Sequence, residues 1–267
     1  METKKTEFKF RREFYRLQRG VTRVLTIPFR KLSEGSFKTK IRTFILNFQN
    51  SLPTEFVVNN GDVVIQIGTP WPKTMKRFLR AVGANGKLII VEAMPENQQR
   101  LERVIKEENI ENVLLIKGAA SNENRSGELL ISPYKGDHKI EVPGVVMDND
   151  LKPGNDYVTR VPVKFFKLDD ELARFGISKF DYISITVNGA EAEVLKGVSN
   201  MLKQCEKGTR VYAKGHALGA DNQPIHHLAQ RVMIENGYDT KITKGEPSST
   251  LDKRWLSRAG DLYAWKT

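Results

Sequence analysis

From Gly61 onward the chain alternates short apolar runs with stretches of helical periodicity, and this alternation constrains the fold more than any other feature. A brief run that is apolar throughout suits a strand buried on both faces, as in a parallel sheet whose crossover helices cover either side. The pattern predicts strands at Asp62–Ile67, Lys87–Val91, Asn112–Lys117, Phe180–Thr186, Arg210–Lys214, Asp239–Thr243 and Asp261–Trp265. Helices are predicted at Pro72–Val82, Pro95–Asn109, Ala190–Gln204 and Ile225–Asn236. Strand, helix and loop thus recur in the order of a doubly wound α/β sheet, mostly parallel and seven-stranded, with helices on both faces.

Between the third and fourth of these strands lies a long insert, residues 118–179, which holds GELLIS, a Gly/Pro/Asp-rich stretch and the β-like run YVTRVPVKFFKL. Inserts of this length are commonly functional, and the expectation is a hairpin with a flap over the cleft, or else an extension of the sheet.

Charge divides the chain in two. The net charge is +11 over 267 residues, and residues 1–50 hold 13 Lys and Arg against 4 Glu, so +9 of it lies there and +2 in the remaining 217. Within that segment Phe10, Phe14, Leu17, Val21 and Val24 fall at helical spacing among arginines, which predicts a basic amphipathic helix, with a second helix over Phe37–Phe48. Residues 1–52 therefore form a basic helical extension, and residues 53–267 a single α/β domain. The extension either lays its apolar stripe on the core or meets a polyanion, RNA or an anionic membrane surface. No apolar run is long enough to cross a bilayer, and the chain opens on charged residues, which points to a cytoplasmic protein, free or peripheral to a membrane. Cys205, the single cysteine, allows no internal disulfide and no cysteine-rich zinc site, and is expected as a small buried side chain near a helix end.

Ligands of open α/β sheets bind outside the carboxyl ends of the strands, so the residues that follow each strand carry the chemistry. After the first comes Gly68-Thr69-Pro70-Trp71-Pro72, one glycine before a helix start, where free N–H groups are available, but without the G-x-G-x-x-G fingerprint of nicotinamide cofactors. After the second comes Glu92, a carboxylate at the spacing from Gly68 that suits the two hydroxyls of a ribose. After the third comes Gly118-Ala119-Ala120-Ser121-Asn122, small enough to admit a flat ring, with Ser121 and Asn122 as hydrogen-bonding groups. After the fourth comes Val187-Asn188-Gly189-Ala190-Glu191, in which Asn188 and Glu191 have the spacing of a helix capping box.

Those four loops, together with GDVVIQIG, KLIIVEAMPENQQRLERVI, ENVLLIKGAAS and KLDDELARFGISKFDYISITVNGAEAEVLKG, resemble the FkbM family of methyltransferases over roughly residues 57–215. The resemblance implies a Rossmann-like class I fold and S-adenosylmethionine as cofactor. By it, Gly68 and Thr69 border the methionine part, Glu92 with Ala93 the ribose, and Ala120 with Ser121 the adenine. This chain departs from the family in placing Gln66, Thr186 and Asn188 where carboxylates are usual. Fewer negative charges attract a sulfonium and an ammonium less strongly.

Methyl transfer requires an in-line nucleophile, and a base where the acceptor is a hydroxyl. His216, after the fifth strand, and Glu191 are the candidates for that base; the adjacent His226 and His227 diverge on a helix, one expected buried and one exposed. The family implies O-methylation of a small molecule or saccharide. The alternative is a catalytically inactive, methyltransferase-like scaffold or RNA-binding subunit.

Overall fold

The computed structural model describes residues 57–68, 71–133, 138–147, 150, 157, 159–214, 217–218, 225–242 and 261–267. The basic extension with its two expected helices, Thr69 and His216 lie outside them.

Among the described residues, thirteen strands and six helices follow in chain order. They are β1 (Val63–Ile67), α1 (Pro72–Val82), β2 (Lys87–Glu92), α2 (Pro95–Glu107), β3 (Val113–Lys117), β4 (Ala119–Ser121), β5 (Arg125–Ile131) and β6 (Lys139–Ile140). After these come β7 (Val146–Met147), β8 (Thr159–Lys167), α3 (Leu168–Arg174), β9 (Tyr182–Ile185), α4 (Glu191–Gly197), α5 (Ser199–Gln204), β10 (Arg210–Ala213), β11 (Ala217–Leu218), α6 (Ile225–Glu235), β12 (Asp239–Ile242) and β13 (Leu262–Trp265).

The main sheet has the strand order β12-β13-β10-β9-β1-β2-β3. The pairs among β3, β2, β1, β9 and β10 are parallel, while β13 runs antiparallel to both β10 and β12. All seven core strands stand where the apolar runs predicted them, and the sheet is mixed because its last strand runs against the rest. This is the Rossmann-like α/β architecture.

Alternating side chains of the central strands feed two separate cores. Ile65, Ile67, Ile89 and Val91 pack with Leu195, Val198, Ala229 and Val232 of the helices on one face. Val64, Leu88 and Ile90 pack with Met75, Phe78, Val82 and Leu101 on the other. Burying each such side chain contributes about 1.5–3 kcal/mol, which is why the chain tolerates no polar residue along most of these runs. Helix α1 shows the local logic: Pro72 sits in its first turn, Met75, Phe78 and Val82 face the sheet, and Gly83 ends it at φ 67°.

The predicted helix Ala190–Gln204 is instead two helices broken at Val198 (φ −119°, ψ 15°). A partner from elsewhere stabilises the break. The Asp169 carboxylate accepts the backbone N–H groups of Asn200 (2.9 Å) and Met201 (3.0 Å), capping the start of α5 from α3. Gly197 ends α4 against the backbone of β4, where a Cβ would lie 1.8 Å from the Ser121 carbonyl oxygen.

The insert contributes a second sheet, β4-β8-β5-β6, with β4 parallel to β8 and the other pairs antiparallel. It has a small core of its own from Met94, Ala119, Leu129, Val163 and Phe165. The short strand β7 pairs antiparallel with β11, tying the insert to the chain beyond β10. At the opposite edge of the main sheet, Arg210 bonds the Asp62 carboxylate (2.8 Å) and the Val57 carbonyl, and the Val63 N–H donates to Asp181 (2.7 Å). These ties hold the amino ends of β1, β9 and β10 in line. Cys205 is buried at the end of α5, with its sulfur 3.9 Å from the Phe180 carbonyl. His226 is buried and His227 exposed.

Candidate active site

The parallel ladder runs to the very ends of the strands. The Gly68 N–H donates to Val91 O (3.0 Å), Thr186 N–H to Ile67 O (2.9 Å), and Gly118 N–H to Glu92 O (2.9 Å). The turns that follow β1, β2, β3 and β9 are therefore held side by side along one rim. Gly68 has φ +77°, and a Cβ there would stand 2.1 Å from the Thr186 carbonyl oxygen, so only glycine lets the first and fourth turns approach this closely.

These turns line a single cleft with about 670 Å³ of empty space, open mouth included. Gly68, Glu92, Ala93, Ala120, Thr186 and Asn188 all border it, as do Met94, Asn97 and Gly118 from the same turns. Gln66, Ser121 and Glu191 are buried behind that lining instead of forming it. Leu129, His138, Lys139 and Ile140 of the insert form part of the wall. The reading of the sequence did not single out His138, Lys139 or Asn97. Asn97 carries the one signal that was legible, its place a single turn into the helix after Glu92.

Among the described residues, Glu92 supplies the one carboxylate of the lining. It is 5 % exposed, and its Oε1 accepts the Met94 N–H (2.9 Å) and the Asn97 amide (3.4 Å). Gln98 caps the same turn by donating to the carbonyls of Glu92 (2.8 Å) and Ala93 (3.1 Å). The carboxylate is thus held by donors in a position fixed by the strand end.

Asn188 and Glu191 do not form the expected capping box. Ala190 occupies the cap position of α4, without a side-chain cap bond. The Asn188 amide donates instead to the His138 carbonyl (2.7 Å), an acceptor in the insert that no local pattern reveals. Glu191 is 1 % exposed, and among the described residues neither carboxyl oxygen has a hydrogen-bond partner of normal geometry. Burial pushes its pKa up to about 8, against the smaller opposing pull of the Glu191 and Gly189 N–H groups. Gln66, at the end of β1, likewise keeps a buried side-chain oxygen without a partner.

On the insert side, the His138 Nδ1 accepts the Ser132 N–H (3.1 Å). Lys139 is paired with both oxygens of Asp150 (2.7 Å each) and lies 4.9 Å from the centre of the Tyr157 ring. Among the described residues the cleft therefore combines one acid, a neutralised cation, and apolar walls from Met94, Ala119, Leu129 and Ile140.

This donor set suits a nucleoside. The fixed carboxylate of Glu92 can accept ribose hydroxyls, and Gly118-Ala119-Ala120 leave room for a flat ring beside Met94. Among the described residues no group of three or more His, Cys, Asp or Glu could hold a metal ion, and no helix is long and apolar enough to cross a membrane.

Comparison with solved structures finds Aeropyrum pernix fibrillarin, crystallised with natively bound S-adenosylmethionine (13 % identity, 85 % of this chain and 76 % of that one, TM-score 0.48). It also finds the Bacillus cereus O-methyltransferase in complex with S-adenosylhomocysteine (12 % identity, 94 % and 90 %, TM-score 0.46). A third is the precorrin-6y C5,15-methyltransferase of Geobacter metallireducens (13 % identity, 89 % and 91 %, TM-score 0.44). No curated protein sequence matches the chain. The family model for the methyltransferase FkbM domain matches residues 56–240, the span that carries every turn of the cleft. With most of its length inside that match, the chain belongs to the FkbM methyltransferase family and is an S-adenosylmethionine-dependent methyltransferase.

Proposed function

We propose that the cleft holds S-adenosylmethionine and that the chain transfers its methyl group to a hydroxyl of a small molecule or saccharide. The observation that carries this reading is the convergence of the turns at 68, 92, 120 and 188 on one cleft, with the Glu92 carboxylate as the one acid among the described residues of its lining. In this reading Glu92 accepts the ribose hydroxyls, with Ala93 beside it. Gly68 and Thr69 border the methionine part together with Thr186, and Ala120, backed by the buried Ser121, borders the adenine. Gln66 offers its partnerless oxygen at the end of β1, where a carboxylate would draw the cofactor's positive charge more strongly.

The cofactor supplies an electrophilic methyl group on sulfur. What the protein must add is in-line positioning of the acceptor and removal of its proton. We assign the proton to His216, which follows β10 in the chain. The alternative base, Glu191, is buried behind the lining and favours its protonated form at neutral pH, so it suits a proton-holding position under the fourth turn better than direct contact with an acceptor.

Residues 1–52, with their excess of positive charge, are proposed as a separate basic extension that meets an anionic partner, RNA or membrane. Residues 53–267 are the methyltransferase domain.

Calorimetry with S-adenosylmethionine tests the central claim. Micromolar binding is expected, weakened at least tenfold by Glu92→Ala, since a carboxylate that accepts two hydroxyls contributes about 1.5–3 kcal/mol. The neutral residues Gln66, Thr186 and Asn188 favour a second reading, a non-catalytic scaffold. Absence of cofactor binding, with salt-sensitive RNA binding that requires residues 1–52, would select it.

A further inference from the structure

The insert does more than border the cleft; it is fastened over it. Residues 138–147 leave the second sheet at β6, contribute His138, Lys139 and Ile140 to the cleft lining, and end in β7, which pairs with β11 beyond the fifth parallel strand. The segment is secured at its start by the Ser132 N–H on the His138 ring, and along its length by the Lys139–Asp150 pair. A direct tie to a turn of the main sheet's rim is made by the Asn188 side-chain amide, which donates to the His138 carbonyl at 2.7 Å. A backbone carbonyl can only accept, so this tie requires a donor at position 188. A carboxylate of the same size would present oxygen to oxygen.

We propose that Asn188 is a positioning residue, a clamp that holds the His138–Ile140 wall over the cleft and governs how fast the cofactor leaves. The proposal rests on the cleft being the cofactor site, and it gives Asn188 a task other than touching the cofactor. When the amide releases the His138 carbonyl, the wall loses this tie to the fourth turn, and the mouth opens on that side. Cofactor exchange then requires this one bond to break, whereas methyl transfer requires it to be made.

Stopped-flow displacement of S-adenosylhomocysteine from the full-length protein tests the clamp, read together with amide hydrogen exchange of residues 138–142 in cofactor-free protein. Loss of one hydrogen bond in Asn188→Ala should speed dissociation about fivefold, and Asn188→Asp, which adds repulsion, about thirtyfold at pH 8. A structural defect would not be relieved by acid, but a protonated carboxyl regains a donor. Lowering the pH toward 5 should therefore slow dissociation from Asn188→Asp relative to Asn188→Ala at the same pH, a comparison that removes the effects of the His138 imidazole and of Glu191, which are common to both variants. Faster exchange of residues 138–142 in both variants, without change in α1 or α2, is expected alongside. Dissociation within twofold of wild type for Asn188→Asp, or unaltered exchange at 138–142, would overturn the clamp. Failure of the wild type to bind S-adenosylhomocysteine would sink the cofactor reading instead, and the exchange data would still decide whether Asn188 holds the wall.

Discussion

Glu191 lets burial be converted into a measurable dependence of stability on pH. Its carboxyl is 1 % exposed, lacks a hydrogen-bond partner of normal geometry among the described residues, and has its pKa pushed from 4.5 up to about 8. The folded state therefore keeps the proton through a range in which the unfolded chain has released it. Below pH 4.5 the group is neutral in both states and costs nothing. As the pH rises from about 4.5 to 8 the unfolded state is progressively favoured, and above 8 the loss is complete. At about 1.4 kcal/mol per pH unit the full loss is at most about 5 kcal/mol, comparable with the whole stability of a modest domain. Glu191→Gln keeps the shape and removes the titration, so the variant should match wild type near pH 4 and exceed it by several kcal/mol at pH 8.5. Urea unfolding at half-unit intervals between pH 4 and 9 measures the difference. His226, whose burial lowers its pKa to about 4, withdraws stability as the pH falls through 6.5 toward 4. That contribution is common to both proteins and cancels. Parallel stability profiles for the two would show that Glu191 is solvated or paired in solution, and would refute the argument.

Three further outcomes follow from close contacts. Gly197→Ala, a change that normally stabilises a helix by about 1 kcal/mol, should here destabilise by about 1–3 kcal/mol in thermal or urea unfolding, because the added Cβ meets the Ser121 carbonyl oxygen. Gly68→Ala should weaken S-adenosylmethionine binding by more than tenfold in calorimetry, since the methyl group must part the first and fourth turns in addition to straining φ. Arg210→Met should cost about 1–3 kcal/mol in urea unfolding, with cofactor affinity per folded molecule unchanged, because it takes the guanidinium from the Asp62 carboxylate, which keeps the Asn59 N–H, at the edge of the sheet remote from the cleft.

The main sheet was legible because its strands are buried on both faces: VVIQI and KLIIV leave no other placement for so many β-branched and aliphatic side chains. Pro72 and Pro95 marked the starts of α1 and α2 through local geometry alone. The insert was only half legible. β4, β6 and β7 have two or three residues each, too few for a period to register, and each is defined by a partner distant in the chain, as Ala119 is by Phe165. Helix α3 passed unnoticed because Leu168 and Asp169 follow directly on the β-like run KFFK. The break at Val198 was invisible for the same kind of reason, since the carboxylate that stabilises it belongs to Asp169. In the site, the turns could be located from the strand ends, but the direction of each side chain could not. Local spacing offered Asn188 to the helix start, and a carbonyl fifty residues away claimed it instead.

The pairing of β7 with β11 sets an order of events for the newborn protein. Its two halves come from segments on either side of β8, α3, β9 and the whole of α4 and α5, so the ladder cannot close until those elements have docked. This fastening of the insert is accordingly a late product of folding, and a chain stalled before β7 meets β11 would lack one of the ties that hold the segment carrying His138, Lys139 and Ile140. Ligand present during refolding should then act on the last step and leave the early ones untouched.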